Sequence, residues 1–171
     1  PMSKRDCARL RRECFDYLHS KGLIVSSEEI MSEFLNDLDL VHHSPYVMPF
    51  FEAYHVEPFG TCVPLLSLVY HDCIVTPWFL GDEVWGLPKG ESGFLNCLLC
   101  GGLPVVDFSA DKEQIRKVKI ACELYRKVGT SRMFLHEFLS EDRKLQKSVF
   151  ENGIEVIVDF RKNEFRINMG R

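Results

Sequence analysis

The sequence predicts an α/β fold in which the last βα units of a partial (β/α) barrel are followed by an antiparallel β-meander. Three observations predict it. Short apolar, β-branched runs at Leu23–Ser27, Leu65–Tyr70 and Leu103–Phe108 are bracketed by helices or long loops, as parallel strands buried on both faces would be. A helical pattern ending at Gly22 leads straight into the first of these runs, which is the αβ half of a parallel unit. Beyond Gly129 the helical period gives way to short strand-like runs separated by hairpin turns.

Taken in order, Ser3 suits the cap of a helix running to about Lys21, with Cys7, Leu10, Cys14 and Leu18 at helical spacing. The strand Leu23–Ser27 follows. Glu28 to Gly60 reads as a long irregular loop holding His42, His43 and His55, and loops of that length are functional or inserted. Val63 to Tyr70 reads as the second strand and ends at His71-Asp72. Cys73 to Gly90 is a second long loop, with Trp78 and Trp85. Ser92–Cys100 fits a short helix stopped by Gly101-Gly102, and Leu103–Phe108 is the third strand. Ser109 or Asp111 caps the clearest helix, whose apolar face is Ile115, Val118, Cys122 and Tyr125 and which Gly129 closes. Four strands are then expected, at Met133–Leu139, Leu145–Phe150, Ile154–Phe160 and Glu164–Ile167. Asn152-Gly153 is a two-residue hairpin signal and Lys162-Asn163 makes the next turn. The expected division is a barrel-derived part over 1–129 and the start of a β-sandwich-like domain over 130–171. Three such strands cannot close an eight-stranded barrel, and a small open sheet is the physical alternative. The chain opens Pro1-Met2-Ser3 and enters a helix at once, so an upstream portion is expected.

Composition narrows the classes. With 171 residues, 46% hydrophobic and 12% aromatic, the chain supplies a real core and is not of the disordered type. A formal net charge of -4 with scattered basic residues gives no nucleic-acid footprint. No apolar run reaches the ~18 residues of a membrane span, and no signal core follows the basic opening. Seven cysteines are an odd count, and Cys7, Cys14, Cys73 and Cys122 sit in apolar patterns as buried free thiols would. A reducing, cytoplasmic setting is expected over a secreted disulfide scaffold.

Four groups of residues carry candidate chemistry. Ser26-Ser27-Glu28-Glu29 places carboxylates just past a parallel strand, where barrel enzymes build active sites. Glycoside cleavage needs a carboxylic acid that protonates the leaving oxygen and a second carboxylate opposite. Glu28 and Glu29 also suit the first turn of a short helix, where acids favour the dipole, and position alone favours that plainer reading. His71-Asp72 supplies directional hydrogen-bonding groups for sugar hydroxyls, or a pair that satisfies a buried loop. Trp78 and Trp85 offer flat apolar faces for pyranose rings, or plugs for the loop. Cys97-x-x-Cys100 lacks the second pair of a zinc site and encloses Leu98-Leu99, so core packing is the better reading. His42, His43 and His55 match no helical metal-ligand spacing, and neither Gly81-Asp82-Glu83 nor Gly86 to Gly90 has a phosphate-loop pattern. No metal and no cofactor is expected.

At this point a family resemblance enters. Gly22-Leu23-Ile24-Val25-Ser26-Ser27-Glu28, followed by Val63-Pro64-Leu65-Leu66-Ser67-Leu68-Val69-Tyr70-His71-Asp72-Cys73, resembles a run in glycoside hydrolase (β/α)8 barrels of the α-N-acetylgalactosaminidase-like families 101 and 129. The tail adds to it. Val128-Gly129, Met133, His136-Glu137-Phe138-Leu139, Asp142-Arg143, Gln146, Phe150, Asn152-Gly153 and Val156-Ile157-Val158-Asp159-Phe160 are similar to the entry into the β-domain behind such barrels. The resemblance covers about Asp16 to Phe160. It implies a retaining mechanism with an aspartate nucleophile and a glutamate acid/base, and Glu28 matches the glutamate by its place after the strand. The nucleophile belongs on an earlier strand, since Asp6 and Asp16 lie on the first helix, on the wrong side. Two departures stand out: Asp159 where the family's hairpin has Asn, and Glu29-Ile30 where a glycine-containing loop is common.

The resulting expectation is a glycoside hydrolase fragment, inactive by itself, that binds carbohydrate. Glu28 is the general acid and then base, His71 and Asp72 hold the sugar, and Trp78 and Trp85 form an aromatic wall. Glu28 and the His71–Asp72 pair are expected at the same end of the sheet, since both would follow parallel strands. An open sheet edge and uncovered apolar surface would favour self-association. The alternatives are a non-catalytic carbohydrate-binding or structural remnant of such a barrel, and a free-standing α/β interaction domain.

Overall fold

A computed structural model describes residues 2–28, 32–42, 63–79, 90–106 and 108–170. Helix α1, Lys4–Ser20, begins with a capping box in which the Ser3 hydroxyl accepts from the Asp6 N–H and the Asp6 carboxylate accepts from the Ser3 N–H. Gly22, at φ +70°, ends it as expected. The helix is less buried than its pattern suggested. Cys7, Leu10 and Cys14 are exposed, and contact falls on Phe15 and Leu18.

Four short strands follow. β1 is Ser26–Ser27, β2 Leu40–Val41, β3 Pro77–Phe79 and β4 Leu103–Val105. β1 pairs with β2 in parallel, Ser26 opposite Leu40 and Ser27 opposite Val41. β3 pairs with β4 in parallel, Trp78 opposite Pro104. An isolated parallel bridge between Leu40 and Val75 joins the pairs, held by Val75 N–H to Asp39 O at 2.8 Å and Val41 N–H to Val75 O at 3.0 Å. A 3-10 turn, Ser32–Asp37, lies between β1 and β2.

The segment expected as the second strand is a helix, α2, Leu65–Tyr70. A six-residue apolar run does not by itself distinguish a buried strand from a buried helix. Pro64, whose fixed φ suits a helix entrance, stands just before the run, and its carbonyl accepts from the Leu68 N–H at 2.9 Å. Burial also follows the helix: Leu66 and Ser67 are buried side by side while Leu65 and Val69 face out. The strand instead falls at Pro77-Trp78-Phe79, in what reads from the sequence as loop. The expected strands Leu23–Ser27 and Leu103–Phe108 are shorter than expected, and Leu23, Ile24 and Phe108 are exposed.

Helix α3, Gly90–Cys100, is buried over Phe94–Cys100. Gly101, at φ +63°, terminates it, and Gly102 lies against the indole of Trp78. Helix α4, Lys112–Val128, is capped by Asp111 in a reciprocal box with Gln114. Its buried face is Ala121, Leu124 and Val128, rotated from the expected one, and Ile115 is exposed.

The last part matches expectation closely. β5, Met133–Phe138, β6, Leu145–Phe150, β7, Glu155–Asp159, and β8, Glu164–Asn168, form one antiparallel sheet in chain order. Gly153 at φ +82° and Asn163 at φ +55° sit in the turns expected of them. This sheet is not packed apart. Met133, Phe150, Ile154, Val156 and Val158 share one core with Trp78, α3 and α4. A smaller core, Val25, Leu38, Val41 and Ile74, fills the space between β1, β2 and the helices, with Phe15, Leu18, Leu35 and Tyr70 around it. Among the described residues no helix is long and apolar enough to cross a membrane.

A methyl group on Gly102 would lie 1.9 Å from Trp78 Cδ1, inside a ring that is fully buried and has nowhere to move. Gly102→Ala should therefore destabilise the fold by about 1–3 kcal/mol, as overpacking does. A denaturant midpoint equal to that of the unchanged chain would contradict this packing.

Candidate active site

Strand direction and side-chain alternation decide where each candidate residue points. Val25 and Val41 are buried against α1, α2 and the 3-10 turn, so that face of the strands looks toward the helices. Side chains alternate along a strand. Ser26 and Leu40 therefore lie on the opposite face. Glu28 follows the C-terminal end of β1 and is exposed. His42 follows the C-terminal end of β2, half-buried, with its N–H donating to Ser27 O at 3.0 Å. Since Ser27 pairs with Val41, Glu28 and His42 are the next residues along that register.

The strand that carries Glu28 is pinned at its other end. Asp39 Oδ2 accepts from the Val25 N–H at 2.7 Å and lies 3.0 Å from His19 Nε2. The Val25 N–H holds the Asp39 carboxyl below its usual value, His19 adds to this, and partial desolvation opposes it.

His71 and Asp72 stand elsewhere. Because residues 65–70 form a helix, the turn after them leads into β3 and belongs to the N-terminal end of the strands, opposite Glu28. His71 is buried, with Nδ1 2.7 Å from Ser131 O and Nε2 2.9 Å from Gly101 O. Both nitrogens face carbonyl oxygens, so the ring ties the end of α3 to the segment leading into β5. Asp72 is exposed and accepts from the Cys73 thiol at 3.6 Å. Desolvation, then the Asp72 charge, raises the pKa of that thiol. The expectation that His71 and Asp72 share an end with Glu28 is corrected by the direction of the chain.

Trp78 is corrected too. It lies within β3 on the helix-facing side, fully buried among Phe94, Leu95 and Leu98, and offers no face to a sugar. Glu29, His43, His55 and Trp85 lie outside the described residues. Cys97 is buried, and burial followed by the nearby Cys100 and Cys122 pushes its thiol well up, which suits a packed core and not a reactive thiolate. Among the described residues no group of three or more His, Cys, Asp and Glu side chains is placed to hold a metal ion. Sequence reading weighed His42 only as a metal ligand. The signal that would have found its place beside Glu28 is Leu40-Val41, a strand too short to stand out within a long irregular stretch.

The class these features define is a mixed helix and strand chain that matches part of a glycoside hydrolase, with a glutamate at the C-terminal end of a parallel strand. Solved structures it is similar to include several of the α-N-acetylgalactosaminidase NagBb from Bifidobacterium bifidum. A quadruple mutant of that enzyme superposes with a TM-score of 0.83 and 33% identity, covering 99% of this chain and 27% of the enzyme. Its GalNAc complex gives a TM-score of 0.81 and 32% identity over 98% of this chain and 28% of the enzyme. Its Gal-NHAc-DNJ complex gives 0.81 and 30% over 99% and 28%. The chain thus spans about a quarter of the length of the enzyme it matches, and the resemblance drawn from the sequence is borne out. No protein-family model and no curated protein matches the chain.

Two outcomes follow from this geometry. His71→Ala removes the imidazole that lies between the buried Gly101 O and the part-buried Ser131 O, and should lower stability by roughly 1–3 kcal/mol in denaturant unfolding. An unchanged midpoint would remove the imidazole from that junction. The second outcome concerns pH. A carboxyl with a depressed folded-state pKa stabilises the fold above its unfolded value, about 3.9 for aspartate, and that stability is lost as pH falls through the folded value. Asp39→Asn should therefore flatten the fall in denaturant midpoint below about pH 4. An acid profile identical to the unchanged chain would show that Asp39 contributes nothing there.

Proposed function

We propose that this chain forms the C-terminal half of a (β/α)8-barrel glycoside hydrolase, together with the first strands of the β-domain behind it, over 1–129 and 130–171. The bond cleaved is an O-glycosidic bond of an α-linked N-acetylgalactosamine. Four parallel segments in chain order, with helices on one side, are what half of such a barrel would contain. The face away from the helices is then the lumen, and the C-terminal ends of the strands are the catalytic end.

The observation that supports this reading is the position of Glu28, exposed and just past the C-terminal end of β1. There Glu28 protonates the glycosidic oxygen as the bond breaks and later takes a proton from the attacking water. A retaining mechanism needs a second carboxylate about 5–5.5 Å away, which we assign to a strand on the open side of β1. The sugar follows from the likeness to an α-N-acetylgalactosaminidase. His71, Asp72 and Trp78 have no part in it. Trp85 stays in the proposal as an aromatic face for the sugar ring, on its sequence position alone.

In the catalytically competent polypeptide, Glu28→Gln keeps the shape and removes the titrating proton. Cleavage of an unactivated α-GalNAc glycoside should slow by ~10²-fold or more. An aryl glycoside with an activated leaving group should lose less in its first step, because it departs without protonation. Equal rates for Glu28→Gln and the unchanged protein on the unactivated substrate would remove Glu28 from the chemistry. The runner-up reading is a non-catalytic remnant of such a barrel that binds the sugar without cleaving it. Sugar binding with no turnover in the intact natural protein would select it.

A further inference from the structure

We propose that the side of α1 facing away from β2 is an interface, and that its occupant is the βα unit next to β1 in the barrel whose C-terminal half this chain forms; the assignment rests on the barrel reading above. Cys7, Leu10, Cys14 and Tyr17 are all exposed. Their spacing of three, four and three residues lines them up along one side of the helix, the pattern of a seam between packed helices. That side is not the one that holds α1 in the fold. Phe15 packs on the smaller core, and Arg12 reaches the 3-10 turn, its guanidinium donating to Glu33 O at 2.7 Å with Nε 3.4 Å from Asp37 Oδ2. At about 100° per residue, Arg12 lies about 60° to one side of Phe15 and the middle of the stripe about 120° to the other.

The 3-10 turn belongs to the connection from β1 to β2. The Arg12 side of α1 is therefore the β2 side, and the stripe looks toward the edge of β1 that β2 leaves open. Among the described residues β1 pairs with β2 alone. Leu23 and Ile24, which lead into β1, are exposed as well. One occupant covers strand edge and helix side together: a parallel strand beside β1 with an amphipathic helix behind it, which continues the β1–β2 pairing outward. A second copy of this chain does not. A two-fold axis parallel to the strands would put the helices of the two copies on opposite faces of the joined sheet and leave the stripe bare. An axis perpendicular to the sheet would lay α1 antiparallel to its counterpart. Glu13 would then meet Glu13 and Arg11 would meet Arg11, like charges at the middle of the contact. The occupant therefore meets the stripe with the apolar side of a helix that runs parallel to α1.

The test is alkylation by iodoacetamide, read at each cysteine by mass spectrometry, on the chain alone and on the intact natural protein. In the chain alone Cys7 and Cys14 should be alkylated at least as fast as the exposed Cys73, while the buried Cys97 stays unmodified. In the intact protein Cys7 and Cys14 should both slow by about tenfold or more, because reagent reaches a covered thiol only through local opening. Leu10→Glu supplies a second readout. It should leave the thermal midpoint of the chain alone unchanged, since that side chain is exposed there, and lower that of the intact protein. Cys7 and Cys14 as reactive in the intact protein as in the chain, with Leu10→Glu harmless to both, would overturn the interface. If that same protein still cleaves an α-GalNAc glycoside and loses this activity in Glu28→Gln, the functional reading stands without it. Protection of Cys7 and Cys14 that sets in for the chain alone as its concentration rises would assign the stripe to a second copy, and would overturn the assignment as well.

Discussion

The contact between the Trp78 indole and Gly102 joins the two halves of this structure. Among the described residues Trp78 is the largest fully buried side chain, and it belongs to β3. Gly102 belongs to the turn between α3 and β4 and has no side chain to hold the ring away. The ring therefore settles on the backbone, β3 and β4 come into parallel register, and α3 is drawn over the strands with its Phe94–Cys100 surface buried. Among the described residues the indole Nε1 has no hydrogen-bond partner. Leaving such a donor unmet costs about 1–3 kcal/mol, which the apolar burial of so large a ring offsets.

Once α3 is fixed, the antiparallel sheet follows. Its inner face presents Phe150, Val156 and Val158 to α3 and α4, and Phe94 of α3 meets Phe165 of β8 edge-on at 5.5 Å. His71 closes the junction from the side, packed 5.1 Å from the Phe150 ring and reaching Gly101 and Ser131 together. The sheet and the parallel strands thus share a core even though their strand grammar differs. The change of pattern near Gly129 marks a change of architecture within one packed body.

The sequence carried some of this openly and hid the rest for identifiable reasons. The meander was legible because its turn signals are local: Asn152-Gly153 and Asn163 take positive φ, directly or at the neighbouring glycine. The ends of α1 and α4 were legible because Ser3 and Asp111 make reciprocal caps with the residue three further on. Leu65–Tyr70 was not, since an apolar run this short fits a buried helix as well as a buried strand, and only the packing of Leu66 and Ser67 decides. That one ambiguity moved everything near it. With a helix at 65–70, the strand shifts to Pro77–Phe79, Trp78 passes from loop to core, and His71-Asp72 moves from one end of the strands to the other. Glu28 follows a strand, as read from the sequence, although only Ser26–Ser27 of that strand is paired.

The two ends of the parallel strands carry different kinds of group. At the N-terminal ends, polar side chains are bound to the backbone: Asp39 to the Val25 N–H, and His71 to two carbonyls. Each such bond fixes a strand entrance, and removing a partner leaves a group that must find water or go unmet. At the C-terminal ends of β1 and β2 the His42 N–H donates to Ser27 O, so main chain joins the two strands there.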